Sequence, residues 1–144
     1  MPKPGRFTID ASVFVSALRD TDPAHEHSVA FLGRSSAESL AIVPNLVKPE
    51  VAGATGRATG DPGLARQALK MLSEVPHLTP VALDDELAEA SADLAIEAKL
   101  RGADAVYAAT ARRFEATLVT LDTEQRTRLP HDITALHPSE AFEA

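Results

Sequence analysis

The sequence contains no cysteine, which excludes disulfides and thiolate metal sites and fits a cytoplasmic protein. Tryptophan is absent too, and only 4% of residues are aromatic. A base-stacking platform of the RNA-recognition type is therefore not expected. No apolar run is long enough to span a bilayer. Met1-Pro2-Lys3-Pro4-Gly5-Arg6 has no apolar run behind its basic residues, so no secretory signal is expected. Positive charge is in deficit: 14 Lys and Arg stand against 21 Asp and Glu, for a net charge of −7. That balance argues against binding nucleic acid by bulk electrostatics. It leaves room for a local basic patch acting with metal ions, and for a cluster of carboxylates that awaits cations.

The 144 residues suffice for one domain with a sizeable core, and 44% hydrophobic with 24% charged residues is ordinary for a globular chain. Phe7, Thr8 and Ile9 read as a short buried strand that ends in Asp10. Ser12 can then cap a helix reaching Arg19, which Asp20-Thr21-Asp22-Pro23 breaks. A second helix is expected from His25 to Gly33. Ala41-Ile42-Val43-Pro44 reads as a strand, and Pro49 as the opening of a third helix with Glu50 in its first turn. Gly56, Gly60 and Asp61-Pro62-Gly63 mark a turn before a fourth helix over Leu64 to Leu72. His77-Leu78-Thr79-Pro80-Val81 is a connector or short strand. Asp84 or Asp85 caps a fifth helix that Arg101-Gly102 ends. An alanine-rich sixth helix runs from Ala105 to Phe114. Ala116 to Leu121 is a buried strand ending in Asp122, Ile133 to Leu136 is a last strand, and His137-Pro138-Ser139-Glu140 starts a final helical turn. Strands alternating with helices predict a three-layer α/β/α fold around a mainly parallel sheet.

Asp10, Glu50, Asp104 and Asp122 all stand at element ends. Each has an ordinary explanation, since an acid at a helix start caps it or complements its dipole. The carboxyl ends of parallel strands and the starts of the following helices share one sheet edge, where ligands bind. Asp10 and Asp122 are therefore expected together, with Asp104 joining them if its helix starts there. Several carboxylates in one cleft repel one another unless cations bind. An all-oxygen site of this kind suits Mg²⁺ or Mn²⁺ and phosphoryl chemistry.

Thr8-Ile9-Asp10-Ala11-Ser12, Pro44 through Val51, Gly102-Ala103-Asp104 through Ala111 and Leu118-Val119-Thr120-Leu121-Asp122 resemble, in order and spacing, the successive motifs of the PIN-domain nucleases. The chain is similar in particular to the VapC-type toxins of bacterial toxin–antitoxin pairs. The resemblance implies one PIN-like domain over residues 1–144, with 1–6 as a flexible extension. It implies that Asp10, Glu50, Asp104 and Asp122 hold Mg²⁺ or Mn²⁺, with Thr120 supporting the site and Ser12 close by. It further implies an endoribonuclease acting on transfer or ribosomal RNA, a homodimer, and a cognate antitoxin. After Asp122 the run Thr123-Glu124-Gln125-Arg126-Thr127-Arg128 is more polar than in many relatives.

Other features read more plainly. His25 and His27 lie two apart on a helix and do not share a face, so they read as a solvated helix end. Arg57 through Gly63 lacks the Gly-Lys-Ser/Thr of a P-loop and reads as an interhelical turn. Asp93 and Glu97 read as the exposed face of the fifth helix, with a place near the cleft as the alternative for Glu97. Arg101, Arg112, Arg113, Arg126 and Arg128 form a candidate phosphate-contacting patch, with a merely solvated surface the favoured reading for any one of them. Two rival readings remain. One is a non-catalytic binding module with the same cleft. The other is an aspartyl-phosphate enzyme, disfavoured because Ser12 stands where a second Asp is wanted.

Overall fold

A computed structural model describes residues 2–143. Five strands form one parallel sheet in the order β3-β2-β1-β4-β5: β1 Arg6–Ile9, β2 Leu40–Pro44, β3 Leu78–Val81, β4 Thr117–Val119 and β5 Ala135–Leu136. Helices α1 Ala11–Ala17 and α2 His25–Glu38 connect β1 to β2, and α3 Val47–Thr59 and α4 Pro62–Ser73 connect β2 to β3. The chain then turns back across the sheet through α5 Asp85–Ala98 and α6 Gly102–Arg113 to reach β4. This reversal puts the two helix sets on opposite faces. On one side α1 packs on α2 and α3, and α3 on α4; on the other, α5 packs on α6. Helix α7 Thr123–Arg128 joins β4 to β5, and a 3₁₀ turn at Pro138–Glu140 follows. The three-layer α/β/α expectation holds. Among the described residues, no helix is long and apolar enough to cross a membrane.

The strand order reverses between β1 and β4. Phe7, Thr8 and Ile9 pair there with Thr117, Leu118 and Val119. A crevice opens where neighbouring crossovers leave in opposite directions. Asp10 follows β1 at this point, and its backbone N–H still donates to Val119 O at 2.9 Å.

Several boundaries differ from the sequence reading. Helix α2 runs past Gly33, because Phe31 and Ser35 bury a continuous stripe. Helix α3 begins at Val47 rather than Pro49. Pro49 still lies in the first turn, where its missing N–H is no loss. Helix α5 stops at Ala98 with Lys99 in the left-handed region at φ 55°. Gly102 opens α6 instead of closing α5. Arg6, assigned by sequence to a flexible extension, opens β1, and its Nη1 donates to Phe114 O at 3.1 Å. Just before it, the Lys3 N–H donates to Glu115 O at 2.7 Å.

Val13, Val43, Val51, Leu94, Tyr107 and Leu118 are fully buried in one core. In α6 every residue from Ala105 to Ala111 is buried. Small alanines there let the helix lie close between the sheet and α5. Leu118→Ala removes a fully enclosed side chain from the central sheet. It should lower unfolding free energy by about 2–5 kcal/mol in urea denaturation.

Candidate active site

Asp10, rather than Ser12, caps α1, because the helix already begins at Ala11. Its Oδ2 accepts from the Ser12 hydroxyl, from the Ser12 N–H at 3.3 Å and from Thr120 Oγ1 at 3.1 Å. Its other oxygen takes no hydrogen bond from the described residues. The residue is 7% exposed. Burial pushes the Asp10 carboxyl above the usual range; the Ser12 and Thr120 bonds oppose this, and the Asp122 charge adds to it. Ser12 Oγ also accepts from the Leu121 N–H at 3.2 Å, which ties the end of β1 to the end of β4.

Glu50 sits in the first turn of α3, and its Oε1 is buried without a partner. Desolvation raises its pKa first, then the charges of Asp10 and Asp104. The Tyr107 hydroxyl, also buried and unpartnered, lies near enough to favour the charged Glu50 but short of bonding geometry. Burial and the Glu50 charge in turn push the Tyr107 hydroxyl well above its ordinary value. Asp104, in the first turn of α6, is raised by desolvation first, then by Asp10, with Arg101 opposing. Asp122 caps α7: Oδ1 accepts from the N–H of Glu124 at 2.9 Å and of Gln125 at 3.3 Å.

All four acids line a cleft of about 520 Å³ at the switch point. Among the described residues, no three acids or histidines converge tightly enough to grip one ion. The carboxylates are spread around the cleft, and Arg101 reaches between two of them. Its Nε lies 3.4 Å from Asp104 Oδ2 and its Nη2 lies 3.5 Å from Asp122 Oδ2. The donors nonetheless fit a hard divalent cation. They are all carboxylate oxygens; one is a buried orphan, three carboxyls are held above their usual pKa, and a guanidinium already partly offsets two of them.

Gln125 escaped the sequence reading. It is fully buried on α7, donates from Nε2 to the Asp104 carbonyl at 3.0 Å, and presents Oε1 to the Thr120 hydroxyl at 3.1 Å. Thr120 Oγ1 in turn accepts from the Asp122 N–H at 3.1 Å. One side chain thereby links the segments carrying Asp10, Asp104 and Asp122. The available signal was a glutamine three residues after a helix-capping Asp, the capping-box spacing. Here the amide turns inward to the Asp104 carbonyl and the Thr120 hydroxyl instead of back to the cap.

The arginine patch is corrected. Only Arg101 of the five lines the cleft. Arg112 pairs with Asp132 at 2.8 Å, Arg113 with Asp84 at 3.2 Å, Arg126 with Glu140 at 3.7 Å and Arg128 with Glu124 at 3.2 Å. Arg57, which the sequence placed in a turn, is helical and lines the cleft. His25 Nδ1 meets Ser16 O at 3.0 Å and the His27 ring stacks edge-on against His137, so neither faces the acids. Asp93 and Glu97 are exposed on α5, outside the cleft.

The model of the PIN domain matches residues 7–128, and the chain belongs to the PIN-domain family. The fold is similar to that of VapBC2 from Rickettsia felis bound to a DNA fragment from its promoter, with TM-score 0.72, 14% identity, and 92% of this chain and 98% of that one covered. FitAcB from Neisseria gonorrhoeae gives 0.68 and 19%, covering 92% and 97%. VapC20 from Mycobacterium tuberculosis, a Sarcin-Ricin loop cleaving toxin, gives 0.67 and 19%, covering 83% and 92%. At these identities the likeness is one of fold. No curated protein matches the chain.

Asp10, Glu50 and Asp104 hold their protons more tightly folded than unfolded. The stability they contribute is complete below their unfolded pKa values of 3.8, 4.5 and 3.8 and is lost as pH rises through the folded values. In EDTA, Asp10→Asn should melt at or above the wild type at neutral pH, with the gap widening as pH rises. A gap of about 2–4 °C per kcal/mol is expected for a domain of this size. Thermal melts of both proteins across pH check this.

Proposed function

We propose that the chain is a Mg²⁺- or Mn²⁺-dependent endoribonuclease and the toxin of a toxin–antitoxin pair. The observation that carries this is the gathering of Asp10, Glu50, Asp104 and Asp122 around one cleft at the switch point, with three of them held above their usual pKa. A bound divalent cation would supply Lewis acidity at a phosphodiester and make water acidic enough to attack at neutral pH. Asp10 is the central ligand in this reading, with Glu50, Asp104 and Asp122 completing the set. Thr120 and Ser12 hold Asp10 in one orientation through its Oδ2. Membership of the PIN-domain family and the fold shared with VapBC2, FitAcB and VapC20 support the toxin assignment. Transfer or ribosomal RNA is the proposed substrate. A cognate antitoxin covering the cleft, a homodimer and a cytoplasmic setting complete the proposal.

One observation favours a second reading, a non-catalytic module whose acidic cleft receives a partner. The four acids do not converge, and Arg101 already reaches two of them.

Purified protein should cut total bacterial RNA with Mg²⁺ or Mn²⁺ and stop in EDTA. Thr120→Val removes only a supporting hydroxyl and should cost roughly 10–100-fold in rate or metal affinity. Asp10→Asn should cost more than that. No cutting by folded, antitoxin-free protein across several RNA pools would leave the binding module.

A further inference from the structure

We propose that Arg57 and Arg101 are the two ends of a phosphate track that holds the RNA backbone across the acidic cleft, an inference that rests on the ribonuclease reading above. A chain of net charge −7 cannot hold a polyanion by its overall field. A few well-placed cations must do it. Among the described residues, the cations lining the cleft are Arg57 and Arg101. The arginines nearby in sequence are closed by carboxylates elsewhere, as Arg113 is by Asp84.

Arg57 is different. It is exposed and, among the described residues, makes no ion pair and no side-chain hydrogen bond. It stands seven residues after Glu50 on α3, with Ala54 between them, and all three line the cleft. Positions i, i+4 and i+7 share one helix face. Two turns separate the backbone positions of Glu50 and Arg57 by about 10 Å, and the Arg57 guanidinium lies back over Gly53, facing the cleft from that wall.

Arg101 stands on the opposite wall, at the cap of α6, three residues before Asp104. Its side chain is 82% exposed, and its contacts to Asp104 and Asp122 are long. Exposed pairs of that kind are weak. Once a cation takes up the charge of the two acids, the guanidinium is released toward solvent and the incoming strand. Its planar fork matches phosphate oxygens. The two arginines thus approach the acids from two walls, Arg57 on the helix that carries Glu50 and Arg101 beside Asp104 and Asp122. The scissile phosphate lies over the carboxylates, and a phosphate on each side meets an arginine. Were the arginines only counter-charges for the acids, their removal would strengthen cation binding and leave RNA binding untouched.

The test is binding of a fluorescent single-stranded oligoribonucleotide to the full chain over a salt series. Ca²⁺ replaces Mg²⁺, and a gel verifies that the RNA stays intact. Arg57→Ala and Arg101→Ala should each weaken binding several-fold and flatten the log K against log salt slope by ~0.7, one single-strand phosphate contact. Arg57→Lys should keep the slope, and Arg113→Ala should match the wild type. In Mg²⁺ cleavage assays, Arg57→Ala should raise KM and leave kcat within about twofold, as loss of uniform binding does. Slopes unchanged in both alanine variants, or flattened equally in Arg113→Ala, overturn the track while the nuclease stands. A wild type that neither binds nor cuts RNA removes the nuclease reading and the track with it.

Discussion

A carboxylate buried at the end of the central strand is the constraint on which the rest of the site depends. Asp10 is nearly sealed from solvent, yet its charge is met only by dipoles: two Ser12 donors and the Thr120 hydroxyl. Burying a charge without a counter-ion is costly. The surrounding elements add to the cost, because α3 brings Glu50 and α6 brings Asp104 close enough to be felt. The fold therefore holds a store of negative charge that its own cations only partly offset. Such an arrangement reduces apo stability and favours whatever cation enters the cleft. Strain of this sort gathers where a protein works.

Much of the fold was legible because strand and helix patterns alternate cleanly and the acids mark the element ends. Helix α7 was not. Thr123 to Arg128 has no apolar stripe, and the helix stands because Asp122 caps it and Gln125 buries its amide. The end of α5 misled for a different reason. Glycine is the usual left-handed cap, but Lys99 adopts that conformation and frees Gly102 to start the next helix. At the site, strand ends and helix starts put Asp10 and Asp122 on one edge, with Asp104 conditional on its helix start, and Glu50 joined them only through the family resemblance. The roles of Gln125 and Arg57 were not legible, because each depends on which helix faces which across the crevice. Chain proximity to Asp104 and Asp122 suggested five arginines, and packing left one of them in the cleft.

Gln125 shows how little separates a structural residue from a functional one here. Its two bonds run to a hydroxyl that also reaches Asp10 and to the main chain of Asp104. The Thr120 hydroxyl has one hydrogen and two acceptors facing it, so it satisfies Asp10 and Gln125 by turns. The buried network sets the spacing of the acids through shared bonds rather than through rigid packing.

The edges of the sheet carry a consequence for assembly. At one end β3 contains Pro80, which has no N–H to offer an incoming strand. At the other end β5 is only two residues long. Main-chain pairing with a neighbour, the commonest accident of an open sheet, is blunted on both sides. What remains for association is side-chain surface on the helices, where Ile96 of α5 stands 79% exposed. A surface of side chains rather than of strand edges places specificity in residues free to diverge without disturbing the sheet.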